Sequence, residues 1–458
     1  MKEKATIIRI ASLFLIMSLF TIRRDGYFPI PESFSESQRV WMQALEVSIV
    51  VLLIGVFFFA ERFVNSRLLE SALRHLKPIT ITIIITYIVL TCLLLYHDAI
   101  TYEQCSLPLG HIVAFGGITL LLIIPPFIMK RHMLSLYGLF LGSFLLFLVP
   151  ILYFPITAWI SDLLPIIREQ LNSFMTGENM YQYYMLDNGI LTQTVRQPGT
   201  TLSYLIAYIT DIDLRFMSVV FSLLTGFVMI KFYTLKVKKL KFNSSFQLFY
   251  LLLAQFLLFP YLHLRHDLYD PFFWFLLSLA LLLLYRSKLI WFLPIWALGI
   301  ITQVWSWIFT PFIGVFLIRY HGIRKGGLII LSSTLVGIVL LFRLIWGEIP
   351  SYYEHIFEYY QNLSRLGFYE VNSIHLTPLF HLYGVSHLIL ITQILACGII
   401  GIISIMKLKN FKHLLVFLII TFFVFLQFSI LVWNYMYITM FVLMIIYTIS
   451  EMMQLKAE

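Results

Sequence analysis

Runs of about 20 apolar residues with almost no charge limit this chain more than any other feature, because a run of that length reads as a helix crossing a bilayer. They occur at 5–22, 41–60, 79–96, 111–129 and 134–154. After one long polar interval they resume at 215–231, 245–262, 271–285, 289–302, 305–318, 327–346, 387–406, 414–432 and 436–450. The expectation is an all-α polytopic integral membrane protein, a bundle of roughly fourteen membrane segments. Only 12% of the 458 residues are charged, about half the share of a soluble domain. No small-x-small cleavage pattern follows Ala5–Ile22, so that run is expected to be retained as a span. The runs 289–302 and 305–318 are short for full crossings and suit helices packed inside the protein.

The net charge of +9 is explained by topology rather than by nucleic acid. Arg62, Arg67, Arg74, Lys77, Lys130, Arg131 and the lysines at 231–241 fall in one set of short loops. Arg286, Lys288, Arg319, Arg324, Lys325, Lys407, Lys409 and Lys412 continue that set. By the positive-inside rule these loops are cytoplasmic, as are both termini, in a multi-pass protein of the plasma membrane. Arg23, Arg24 and Arg39 in the first outer loop depart from the pattern. Of Cys92, Cys105 and Cys397, only Cys105 falls in a loop, which gives neither a disulfide framework nor a metal spacing.

On this topology the polar mass is outside, in loops 155–214, 263–270 and 347–386. The longest polar stretch, Ile160–Tyr208, is too rich in aromatic and aliphatic residues to be disordered, and a loop of that length is usually functional. Within it Leu163, Leu164, Ile167, Leu171 and Phe174 share one helical face. Ser161 and Asp162 stand at the start of this helix and Gly177 at its end, which predicts an amphipathic helix on the membrane surface.

Four constellations carry chemistry, each with an ordinary structural alternative. Asp162 puts a carboxylate at the membrane exit, where it can take a proton from an attacking hydroxyl or hold a divalent metal; the alternative is a helix N-cap. The outer turn His263–Asp270 holds Arg265 and His266, suited to gripping a phosphate, with Asp267 and Asp270 in support. The alternative there is a solvated turn with Asp270 capping the next helix. Arg196 precedes the Pro198-Gly199-Thr200-Thr201 turn, and with Tyr204 this segment can line a substrate; the alternative is a plain turn into a short helix. Gln303 and Trp305 stand between two short apolar segments, and Trp433, Asn434 and Tyr435 at the last outer turn. Tyr352–Tyr360 and most of these aromatics read as an interfacial belt.

Taken in order, several of these pieces resemble the GT-C membrane glycosyltransferases. They are the loop acid with its amphipathic helix, Gly177 with Tyr181, Pro198-Gly199-Thr200-Thr201-x-x-Tyr204, Arg265-x-Asp267, the stretch Ala297–Leu317 and Trp433-Asn434-Tyr435. Within that group the pattern is most similar to the polyprenyl-phosphate-dependent mannosyl and arabinosyl transferases of glycosyltransferase family 87. The resemblance covers about 155–450 and makes 134–458 the core, with 1–133 an added set of membrane hairpins. It implies a polyprenyl-phosphate sugar donor, a glycan or lipid acceptor at the outer face, and inversion at the anomeric carbon. It also implies that the loop acid is general base or metal ligand.

Two departures stand out. In the family the loop acid follows the first membrane helix, which leaves Asp25 and Glu32 as alternatives to Asp162. Gln303 stands where a lysine is common. Two other readings remain open: a polysaccharide polymerase or ligase using Arg196 with Arg365, and a flippase or transporter, for which Arg9, Glu46 and Arg343 are the charges within apolar runs.

Overall fold

The computed structural model describes residues 2–23, 34–64, 67–101, 107–159, 161–235, 243–258, 270–359, 362, 374–429, 432 and 434–454. The chain is a helical bundle. Its first half runs through α1 (Lys2–Arg23), α2 (Glu36–Phe58), α3 (Arg67–Arg74), α4 (Leu76–Thr101), α5 (Leu109–Ile128) and α6 (His132–Tyr153). The polar interval then forms α7 (Leu163–Thr176), a two-stranded antiparallel ribbon of β1 (Tyr183–Met185) and β2 (Leu191–Gln193), α8 (Pro198–Leu202) and α9 (Leu205–Ile209). The bundle continues with α10 (Arg215–Thr234), α11 (Ser244–Leu258), α12 (Pro271–Tyr285), α13 (Leu289–Thr302) and α14 (Trp305–Leu344). It ends with α15 (Ile349–Tyr353), a π-helical turn at Glu354–Glu358, α16 (Thr377–Leu382), α17 (Ile389–Lys407), α18 (Phe411–Gln427) and α19 (Ile438–Gln454). The small ribbon is the one departure from an all-α chain among the described residues.

Seven of the described helices are long and apolar enough to cross a membrane, against the roughly fourteen segments expected from the apolar runs. They are α2, α4, α5, α6, α10, α14 and α17, the last extended back to Ser386. The helices α11, α12, α13, α18 and α19 are apolar but only 14–17 residues long. At 1.5 Å per residue they fall short of a ~30 Å hydrocarbon core unless protein surrounds them. Burial bears this out for α11, which is covered on all sides, and for α12, where the stripe Phe272, Phe275, Leu279 and Leu283 is partly open, as expected of helices apolar all round. On α11, Tyr250 stacks on Phe127 at 4.7 Å, and Phe249 lies flat on Tyr233 at 4.1 Å. By contrast α17 and the second half of α14 leave their aliphatic side chains open, with Leu395, Ile402 and Val339 about 60% exposed or more. Apolar surface of that extent marks the face toward lipid.

α14 is two helices. Gly322 takes φ 83°, ψ 161° in its middle, a backbone position that glycine alone adopts without strain. Beyond it the chain folds back, so that Gly326 meets the Leu317 backbone and Gly314 meets Ile330. The separate runs at 305–318 and 327–346 correspond to these two arms. α1 is internal: Leu13, Ile16, Met17 and Phe20 are buried, and Phe20 stacks on Tyr437 at 4.0 Å.

Ion pairs tie helix ends together at one pole of the bundle. Lys4 meets Glu70 at 2.7 Å, Arg9 meets Glu451 at 3.5 Å and Glu61 at 3.4 Å, and Lys412 meets Glu451 at 2.9 Å. Arg319 donates to the Leu408 carbonyl at 2.8 Å. The loop between α6 and α10 gathers at the opposite pole. There Arg215 grips Asp213 at 2.6 Å and donates to the Phe154 carbonyl at 2.6 Å, joining the start of α10 to the end of α6.

Candidate functional site

The polar loop is held by specific bonds rather than by lipid. α7 ends in a Schellman turn, with the amide of Glu178 donating to the Ser173 carbonyl at 2.8 Å and Gly177 left-handed. Its apolar face (Leu164, Ile167, Leu171) is buried in the main core, so the helix packs on protein rather than lying free on a membrane surface. Asp187 and Asn188 moor the tip of the ribbon to the chain just beyond α6. The Asp187 carboxylate accepts from the Thr157 hydroxyl and from the Ala158 amide at 2.8 Å, and Asn188 donates to the Ala158 carbonyl at 3.1 Å. These bonds, the Thr157 hydroxyl above all, hold Asp187 below the usual carboxylate range.

The segment 348–359 forms the second wall. Glu348 accepts from the Met180 amide at 3.2 Å, Asn179 donates to Ser351 at 3.2 Å, and Tyr352 donates to the Gln197 side chain at 3.0 Å. His355 bonds the Thr194 backbone. Beneath this seam Met180, Tyr181, Ile301, Leu341, Ile345, Tyr352 and Ile356 make a small separate core.

Pro198-Gly199-Thr200-Thr201 docks this assembly onto the bundle. A Cβ on Gly199 would meet the Ile301 carbonyl oxygen at 2.7 Å, so only glycine lets the two backbones approach. Thr200 donates to the Thr302 carbonyl, and Thr201 donates to Gln170 at 2.8 Å. Tyr204 is 2% exposed and its hydroxyl pairs with Ser218 at 2.9 Å. Pro198, Gly199 and Tyr204, expected as a substrate wall, thus pack against protein. Their part in the site is to fix Arg196 and Gln197 beside the break between α13 and α14.

Gln303 occupies that break in extended conformation (φ −145°, ψ 136°). Its amide donates to Asp270 at 2.5 Å. Asp270 precedes α12 but does not cap it, which corrects the structural alternative for that residue. The carboxyl is 1% exposed, and burial pushes its pKa up to about 6 despite the opposing pull of Arg196 and the Gln303 bond. Arg196 also acts on Tyr359, as does Asp162. Burial and the Asp162 carboxylate raise the Tyr359 hydroxyl, and Arg196 lowers it. Asp162 is exposed at the head of α7 and makes no capping bond either. Trp305 stands edge-on to Phe422 at 5.3 Å and Phe425 at 5.7 Å, packing between α14 and α18.

The structure therefore brings Asp162, Arg196, Asp270 and Gln303 to one pole, where Asp162 and Arg196 both act on Tyr359 and Arg196 also acts on the Asp270–Gln303 pair. Arg265, His266, Asp267, Asp25, Glu32, Arg365 and Trp433 lie outside the described residues. Tyr352, His355 and Tyr359 belong to the site but read in the sequence as interfacial belt. Their spacing of three and four residues puts them on one helical face, and that was the available signal. Among the described residues no group of three or more His, Cys, Asp or Glu side chains is arranged to hold a metal ion. No protein-family model matches the chain, and no curated protein or solved structure is significantly similar to it.

Proposed function

We propose that this pole is the active site of an integral membrane glycosyltransferase of the GT-C type. It would move a sugar from a polyprenyl-phosphate donor to a glycan or lipid acceptor of the cell envelope. The observation that carries the reading is the convergence on Tyr359 of an exposed carboxylate, Asp162, and a half-buried guanidinium, Arg196, beside the buried Asp270–Gln303 pair. Titratable groups whose environments push them apart, placed together at one end of an apolar bundle, are what acid–base chemistry on a lipid-linked substrate requires.

The chemistry has simple parts. Asp162, open to water, takes the proton from the acceptor hydroxyl as its oxygen attacks the anomeric carbon. The bond from that carbon to the donor phosphate breaks, and the electron pair leaves with the phosphate. Arg196, joined in this reading by Arg265 and His266, stabilises the charge gathering there. One displacement inverts the anomeric centre. Asp270, held by Gln303, sets the charge around Arg196 and does not touch the reacting atoms. The prenyl chain would lie along the lipid-facing helices, and the basic loops at the other pole would face the cytoplasm.

The test is sugar transfer from a polyprenyl-phosphate donor by purified, detergent-solubilised protein. Asp162→Asn should lower the rate by roughly 10²-fold or more, the effect of losing a general base, with thermal stability unchanged because the carboxylate bonds nothing in the helix. Full activity in that variant would remove Asp162 from the role.

A further inference from the structure

Two polar atoms in the seam between the loop and 348–359 have no partner. His355 is 2% exposed and Gln197 is 3% exposed. The Nδ1 of His355 and the Nε2 of Gln197 are both buried without a hydrogen bond. Leaving a buried donor or acceptor unpaired costs about 1–3 kcal/mol each, so two in one seam call for a reason.

The surroundings define what would satisfy them. With Nδ1 unpartnered, the His355 bond to the Thr194 carbonyl is made by Nε2–H, which leaves Nδ1 a bare acceptor. Gln197 uses its oxygen to accept from Tyr352, which leaves its amide N–H free as a donor. Tyr181 links the two. It stands perpendicular to Tyr352 at 5.1 Å and to His355 at 6.4 Å, and its hydroxyl donates to the Arg196 carbonyl next to Gln197. Tyr183, about half exposed, packs edge-on over His355 at 5.1 Å and is tethered through its hydroxyl to Glu354. His355 itself sits in the π-helical turn, a distortion that occurs most often at functional sites.

Burial lowers the His355 pKa and disfavours its charged form, and the carboxylates Glu354 and Glu348 act on His355 and Tyr181, which weighs against an anion at these two atoms. A neutral polyol fits: one hydroxyl donating, one accepting, and aromatic rings for its C–H face. We infer that His355 and Gln197 form a sugar-hydroxyl subsite, covered by Tyr183 and opened when that side chain swings out. For its ligand class the inference rests on the transferase reading. It places the sugar ring in the seam whose Gln197 directly follows Arg196, the phosphate grip of that reading.

Binding can be tested without turnover. Purified protein in detergent is titrated with free hexoses, pentoses and N-acetylhexosamines and followed by saturation-transfer NMR. At least one sugar should show transfer. His355→Phe, which keeps the ring packing but loses the acceptor, and Gln197→Glu, which keeps the acceptor but loses the donor, should each weaken binding about tenfold. Unchanged melting temperature would establish that both are folded, and either variant suffices if the other does not fold. No sugar bound by the wild type, or one bound equally by wild type and both variants, overturns the subsite. A sugar bound as expected in a protein that transfers none would leave the subsite standing and remove the transferase reading. In an active enzyme the variants should raise KM for the sugar substrate with kcat little changed, and an unchanged KM would sink the subsite alone.

Discussion

Replacing Asp270 with asparagine should make the protein more stable and less active. The carboxyl is buried beside Gln303 and titrates near 6, against an ordinary 3.8. Holding it ionised in the fold therefore costs about 3 kcal/mol at neutral pH, from 1.36 kcal/mol per pH unit. The sign follows from linkage. Between about pH 4 and pH 6 the folded protein keeps a proton that the unfolded chain has released, so stability falls as pH rises across that window and is level above it. Asparagine has no charge to bury and can still accept the Gln303 hydrogen bond. Melting of wild type and Asp270→Asn in detergent, from pH 3.5 to pH 8, should show equal stability at the acid end and a gap that opens toward pH 6. The variant should lie a few degrees higher at pH 7. Transfer activity should fall, because Arg196 loses the counter-charge that shares its position. Structural strain retained for function is the usual cause of such a trade-off. A variant that melts lower than wild type at every pH would refute the argument. It would mean that Asp270 is ionised and stabilising, with Arg196 outweighing burial.

Three further changes probe the scaffold. Asp187→Ala should free the ribbon from Thr157 and Ala158, costing about 1–3 kcal/mol and exposing 183–193 to limited proteolysis. Because those bonds lower the Asp187 pKa, wild-type protection should hold above the carboxylate range and disappear as pH falls through the folded value. Gly199→Ala should cost about 1–3 kcal/mol of overpacking, since the Ile301 carbonyl at 2.7 Å is backbone and cannot move aside; a lowered melting temperature with weakened transfer is the expected readout. Arg9→Met at the other pole leaves Glu451 with Lys412 alone. It should destabilise by about 3 kcal/mol, largely restored in Arg9→Met/Glu451→Gln, as differential melting would measure.

Elements set by local rules were legible in the sequence. Long apolar runs became helices, the break near Gly322 separated two arms, and the stripe Leu164, Ile167, Leu171 was buried as its spacing required. The ribbon was missed although its signal was present. Asn188-Gly189 is a hairpin dipeptide, but it stands within Ile160–Tyr208, a stretch read as a long polar loop. The caps went wrong for a different reason. Asp162 and Asp270 directly precede their helices, yet neither caps, because both already take helical backbone angles (φ −81°, ψ −12° and φ −79°, ψ −15°) rather than the extended ones a side-chain cap needs.

That last pair bears on what the site is. An aspartate before a helix caps it from an extended backbone, and such a cap is worth about 1 kcal/mol. Asp162 and Asp270 take helical angles instead, which leaves both carboxylates uncommitted to backbone amides. Asp270 is bonded to Gln303 in a place where burial raises its pKa against the pull of that bond, and Asp162 stays exposed. One carboxyl is thereby buried against Gln303 and the other open to solvent, and the transfer reaction proposed above would use them differently, Asp162 to take the proton and Asp270 to set the charge around Arg196.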